Sequence, residues 1–110
     1  MADYNAEHKT ALDGILLGMP GVKGGKAFGY PAYKVNGKIF AFVASKGISI
    51  KLTEPRVREL IDEKPEFAIM EVGDGIQWKA WLNIQPPKSA NFEDYEPLLT
   101  ESMEYVATLA

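Results

Sequence analysis

Asn36-Gly37 lies between two runs rich in β-forming residues, Tyr30–Val35 and Lys38–Ala44. An Asn-Gly pair in that setting is the strongest local sign of a two-residue hairpin, because both turn residues need a positive φ. The turn fixes a register. On one side Val35 faces Lys38, Tyr33 faces Phe40 and Pro31 faces Phe42. On the other, Lys34 faces Ile39, Ala32 faces Ala41 and Tyr30 faces Val43. Both sides are mostly apolar, which predicts helices over part of each. The small pair Ala32/Ala41 leaves room for one to come close.

The rest of the chain supplies those helices. Residues 3–18 predict a helix, with Asp3 as N-cap and Tyr4, His8, Ala11, Leu12, Ile15, Leu16 and Met19 on one stripe. Gly18 and Met19-Pro20-Gly21 stop it. Residues 22–28, with Gly24-Gly25, read as a loop or weak strand that bends from helix to sheet. Ile48, Ile50 and Leu52 alternate with Ser49 and Lys51 in a half-buried strand after the turn at Ser45-Lys46-Gly47. Thr53 caps a second helix, Pro55 sits in its first turn, and Lys64-Pro65 ends it. Phe67–Val72 and Ile76–Ile84 read as strands around Gly73-Asp74-Gly75. Strand alternation puts Trp78, Ala80, Leu82 and Ile84 on one face. It puts Gln77, Lys79, Trp81 and Asn83 on the other. After a linker at Gln85-Pro86-Pro87-Lys88-Ser89, a last helix from about Asp94 to Leu109 carries Tyr95, Leu98, Leu99, Ser102, Val106 and Leu109 as its stripe.

These elements predict an α+β fold, an antiparallel sheet of about five strands with three helices in the order α-β-β-β-α-β-β-α. The 110 residues fit a single domain, 1–110. The chain has no cysteine, which excludes disulfides, thiolate catalysis and cysteine-based metal sites. No run approaches the ~18 apolar residues of a membrane helix. Met1 to Leu17 lacks the basic-then-apolar order of a signal peptide. A cytoplasmic protein without a membrane partner is expected.

Charge divides the chain more sharply than its total of −3 suggests. Residues 1–13 sum to −2. Residues 14–53 hold six lysines and no acid. Residues 54–110 hold 12 acids and 5 bases, a sum of −7.

Four stretches resemble the MmcQ/YjbR-like proteins, small bacterial domains sometimes labelled DNA-binding. They are Met19-Pro20-Gly21-Val22, then Tyr33-Lys34-Val35-Asn36-Gly37-Lys38-Ile39-Phe40-Ala41, then Ile48-Ser49-Ile50-Lys51, and last Ser102-Met103-Glu104-Tyr105-Val106. The resemblance runs from about Leu12 to Val106 and implies a compact α+β domain of the double-wing type. Many members carry a Lys-x-His-Trp strand before the last helix. Here Trp81 matches the Trp, Ala80 stands in place of the His and Trp78 in place of the Lys.

No catalytic constellation emerges. His8, the single histidine, has Glu7 and Asp3 near it but no Ser or Thr placed by the sequence, and reads as a partly exposed helix residue. Lys23-Gly24-Gly25-Lys26 fails the phosphate-loop pattern, since Pro20 stands where its first Gly belongs and Ala27 follows Lys26. The acidic pairs Asp62-Glu63 and Glu93-Asp94 point apart and read as solvated surface. The nucleophile-elbow, zinc-protease and dinucleotide motifs are absent, so no metal and no cofactor are expected.

The remaining constellation joins lysines to aromatics: Lys34, Lys38, Lys51, Lys79, Trp81 and Tyr33 are the candidate nucleic-acid contacts. Two arginines on an acidic helix and a pI of about 5.1 argue against sequence-specific base readout. Trp81, on a polar face, marks either a contact site or a residue beneath the last helix. The expectation is a non-enzymatic domain with weak affinity for DNA or another anionic ligand. The alternative is a protein-interaction or homodimerisation module.

Overall fold

The computed structural model describes residues 4–72, 75–87 and 91–109. Helix α1 spans Ala6–Leu16. Its cap is Asn5, whose side-chain oxygen accepts from the N–H groups of Glu7 and His8. Asp3, the expected cap, lies outside the described residues. Strands β1 (Val22–Ala27), β2 (Tyr30–Val35), β3 (Lys38–Ala44) and β4 (Gly47–Lys51) follow. Helix α2 spans Glu54–Ile61, capped by Thr53 as expected. Strands β5 (Phe67–Val72) and β6 (Ile76–Ile84) lead to a short 3-10 turn, Phe92–Tyr95, and helix α3, Glu96–Ala107.

The strands form one antiparallel sheet in the order β1-β2-β3-β4-β6-β5. It has six strands rather than about five, because Val22–Ala27 is a strand. Gly24 and Gly25 therefore lie inside the sheet, opposite Tyr33 and Ala32, and make no bend. The closing turn is Phe28-Gly29, with φ of 55° and 82°, the same pair of positive values found at Asn36-Gly37. Phenylalanine rarely accepts that conformation, so only Gly29 marks this hairpin in its turn residues.

Two irregularities decide which side chains share a face. Between β2 and β3 the register shifts after Tyr33/Lys34, leaving Phe40 without a partner on β2. Val35/Lys38 and Lys34/Ile39 pair as the sequence predicts, but Tyr33 then faces Ala41 and Ala32 faces Phe42. Phe40 and Ala41 both turn to one core, and Phe42 crosses to the opposite side. Between β5 and β6 the register jumps from Ile69/Leu82 to Met70/Trp78. Trp78 thereby joins Trp81 on one face instead of opposing it.

All three helices pack on the same face of the sheet, so the expected covering of both faces is corrected. Leu12 and Leu16 of α1, Val57 and Leu60 of α2, and Leu99 and Val106 of α3 meet Phe40, Val43, Ile48, Ile50, Leu82 and Ile84 in one core. Ser102 pins α3 to the sheet, its hydroxyl 2.6 Å from the Lys51 carbonyl and 3.0 Å from the carbonyl of the bulged Phe40. Asn36 donates to the Ala107 carbonyl, so the Asn-Gly hairpin also holds the end of α3. At Gly47, φ is +94° and an added Cβ would lie 2.0 Å from the Ile84 carbonyl oxygen, so only glycine fits where β4 meets β6.

Candidate functional site

Among the described residues, the opposite face of the sheet carries no helix. Its centre is Phe42 of β3, buried beneath rings from both ends of the sheet. Phe28 approaches from the β1–β2 turn, 6.1 Å from Phe42 and 5.4 Å from Trp78 between ring centroids. Trp81 lies 5.3 Å from Phe42 and 6.0 Å from Trp78. Phe28 is 68% exposed. A positive φ at a bulky residue costs of order 1 to 3 kcal/mol, and here it presents a phenyl ring to solvent.

The first and last hairpins curl towards each other and leave a cleft of about 320 Å³ between them. Phe28 and Tyr30 form one wall, Met70, Val72 and Trp78 the other, and Phe42 with Ala44 the floor. Ser45 and Glu71 border it. Beyond Ala44 the face turns polar. Ser49 Oγ lies 3.1 Å from Asn83 Oδ1 and 2.9 Å from Met70 Sδ, and Asn83 Nδ2 donates to the Lys46 carbonyl. These buried polar groups satisfy one another, so they hold β4, β6 and the Lys46 turn together.

The expected lysines divide between the two faces. Lys51 pairs with Trp81 in register, and its ammonium lies 5.5 Å from the Trp81 ring centre. Lys34 stands opposite Lys23 and Ile39 on the same helix-free face. Lys79 borders a shallow depression formed with Phe28, Trp78 and Trp81. Lys38 does not join them. It pairs with Val35, whose side chain belongs to the helix-side core.

Tyr33 is also elsewhere. It is 1% exposed in the helix-side core, and its hydroxyl donates to Asp13 Oδ1 at 2.6 Å. Burial and that carboxylate push the Tyr33 hydroxyl far above its ordinary range. Burial would raise Asp13 in turn, but hydrogen bonds from Lys9 and Tyr33 outweigh it and hold the carboxyl below its usual value. Tyr33 thus ties β2 to α1 and offers no ring to a ligand. Trp81 is not beneath the last helix, which packs on the other side of the sheet.

His8 lies against Phe92, ring centroids 5.3 Å apart, where α1 meets the 3-10 turn. Burial lowers its pKa, and among the described residues its Nδ1 has no hydrogen-bond partner. It packs two elements together. Tyr95 is similarly structural: burial and its hydrogen bond to Glu66 push its hydroxyl up to about 12. Among the described residues no group of three or more His, Asp or Glu side chains could hold a metal ion. No helix among them is long and apolar enough to cross a membrane.

Phe28, Phe42, Met70 and Trp78 were not among the sequence candidates. The Gly after Phe28, between Ala27 and Tyr30, was a usable turn signal. Nothing local in the sequence marks the bulge at Phe40 that sends Phe42 across the sheet. No protein-family model, no curated protein and no solved structure matches this chain.

Proposed function

We propose that this chain is a non-enzymatic binding domain that takes single-stranded nucleic acid, with little sequence specificity along the strand, on its helix-free sheet face. One observation carries the reading: Trp78, Trp81 and the exposed Phe28 gather on one curved face, with the Lys51 ammonium over Trp81. Bases stack on aromatic faces for about 1–3 kcal/mol each, whatever their identity. Lysines beside the rings neutralise phosphates. Lys23, Lys34 and Lys51 on that face and Lys79 beside Trp78 support that role. A single strand suits the site better than a duplex, because stacking needs unpaired bases.

The wider identity follows the same reading. The four sequence stretches support a MmcQ/YjbR-like double-wing domain, and the chain's lack of cysteine suits a cytoplasmic protein.

The Lys34→Glu/Lys51→Glu double variant tests the proposal. It is expected to lose oligonucleotide binding by more than tenfold at ~50 mM salt while its thermal unfolding stays cooperative. Unchanged affinity would overturn the assignment of this face.

A further inference from the structure

The helix-free face carries a second pattern, a row of residues that crosses the strands. Val22, Tyr33, Val35, Ile50 and Leu52 belong to the helix-side core, so alternation turns Lys23, Lys34 and Lys51 to the other face. In register, Lys23 stands opposite Lys34, Lys34 opposite Ile39, and Lys51 opposite Trp81. The bulge leaves Ile39 on this face and carries Phe40 off it. The order β1-β2-β3-β4-β6 then aligns Lys23, Lys34, Ile39, Lys51 and Trp81 across the sheet, with Lys51 about one residue off the line.

Folding does not account for the facing lysines. Like charges directly opposite each other in a sheet are destabilising. A lysine on β1 keeps an edge strand from pairing with another chain, which accounts for Lys23 and not for a second lysine facing it. Among the described residues, no carboxylate forms an ion pair with Lys23, Lys34 or Lys51.

We propose that the bound single strand crosses the sheet at right angles to the β-strands, its phosphates along Lys51, Lys34 and Lys23 and its bases beginning over Trp81 and Trp78. This rests on the single-strand reading above and adds the direction and length of the bound strand. Neighbouring β-strands lie about 4.8 Å apart, so the row from β1 to β6 spans about 19 Å. At a rise of roughly 3.4 Å per stacked nucleotide, that span takes about six nucleotides. The rings stand at one end of the row and the facing lysines at the other. A dinucleotide therefore covers the rings and Lys51, and only a longer strand reaches Lys34 and then Lys23 at the sheet edge.

The test is tryptophan quenching by oligothymidylates from the dinucleotide to the decanucleotide, at salt from ~50 to ~200 mM. Affinity should rise with length to about six nucleotides and then level off. Lys23→Gln changes an exposed residue and relieves the like-charge pair, so its melting temperature should be unchanged or higher. With the octanucleotide, its slope of log affinity against log salt should fall by about 0.7, the value of one phosphate contact on a single strand. With the dinucleotide the variant should match wild type. Lys26→Gln makes the same charge change on the same strand. Alternation from Ala27 turns Lys26 to the α1 side, at a depression that Lys9 and Asp13 also border, so this variant should keep both wild-type slopes. Equal effects of the two variants, or an affinity that stops growing at the dinucleotide, would overturn the crossing path and leave the single-strand reading standing. No quench at any length would overturn both.

Discussion

Phe28 is the residue whose conformation and exposure are hardest to explain by folding alone. Its φ of 55° belongs to the region favoured by Asn and Gly, and the other two-residue hairpin uses Asn36 at the same place. Asparagine at position 28 would close the turn with less strain. What Phe28 adds is a ring 5.4 Å from Trp78 at the mouth of the cleft. Phe28→Asn is therefore expected to leave the melting temperature within a few degrees of wild type, relief of turn strain offsetting the lost ring contacts. The same variant should weaken single-stranded oligonucleotide binding by roughly the value of one stacked base, about 1–3 kcal/mol. A large loss of stability with unchanged binding would make Phe28 a packing residue only.

At the scale of elements, the sheet is shaped by its two irregularities more than by its strands. The bulge at Phe40 frees a carbonyl that Ser102 of α3 serves, so the helix and the bulge stabilise each other. Ser102→Ala removes a hydroxyl that serves two carbonyls in a buried site. It should cost about 1–3 kcal/mol, measured as a lower denaturant midpoint with an unchanged slope. A loss under ~0.5 kcal/mol would mean that water or another donor replaces it. The same irregularities mark the limit of what the sequence reveals. Periodicity and turn chemistry are local, and they place α2 with its Thr53 cap, β3 to β6, and the buried stripe Tyr95, Leu99, Ser102 and Val106 near α3. They do not put Lys51 beside Trp81, because that pair depends on β4 lying next to β6 in the sheet. Strict alternation fails where an extra residue enters a strand, so Phe42 and Trp78 fall on the face opposite to that expected. The first strand is hidden because two glycines weaken it and a phenylalanine sits in its turn.

Across the whole molecule, the charge split of the sequence follows the elements. The lysines of residues 14–53 belong to β1–β4 and their turns, while the acids beyond residue 53 lie largely on α2, on the 3-10 turn and on α3. A net charge of −3 thus conceals Lys23, Lys34 and Lys51 on the helix-free face, the side to which the proposal assigns phosphates. Both tryptophans of the chain lie on the helix-free face, so tryptophan fluorescence reports on that face. The most direct test of the account is that fluorescence during titration with single- and double-stranded oligonucleotides at ~50 and ~200 mM salt, a range over which phosphate-driven binding falls steeply. The account predicts a saturable quench that is stronger with single strands and weakens sharply at the higher salt. No change with either nucleic acid at the lower salt, or a quench indifferent to salt, would contradict it.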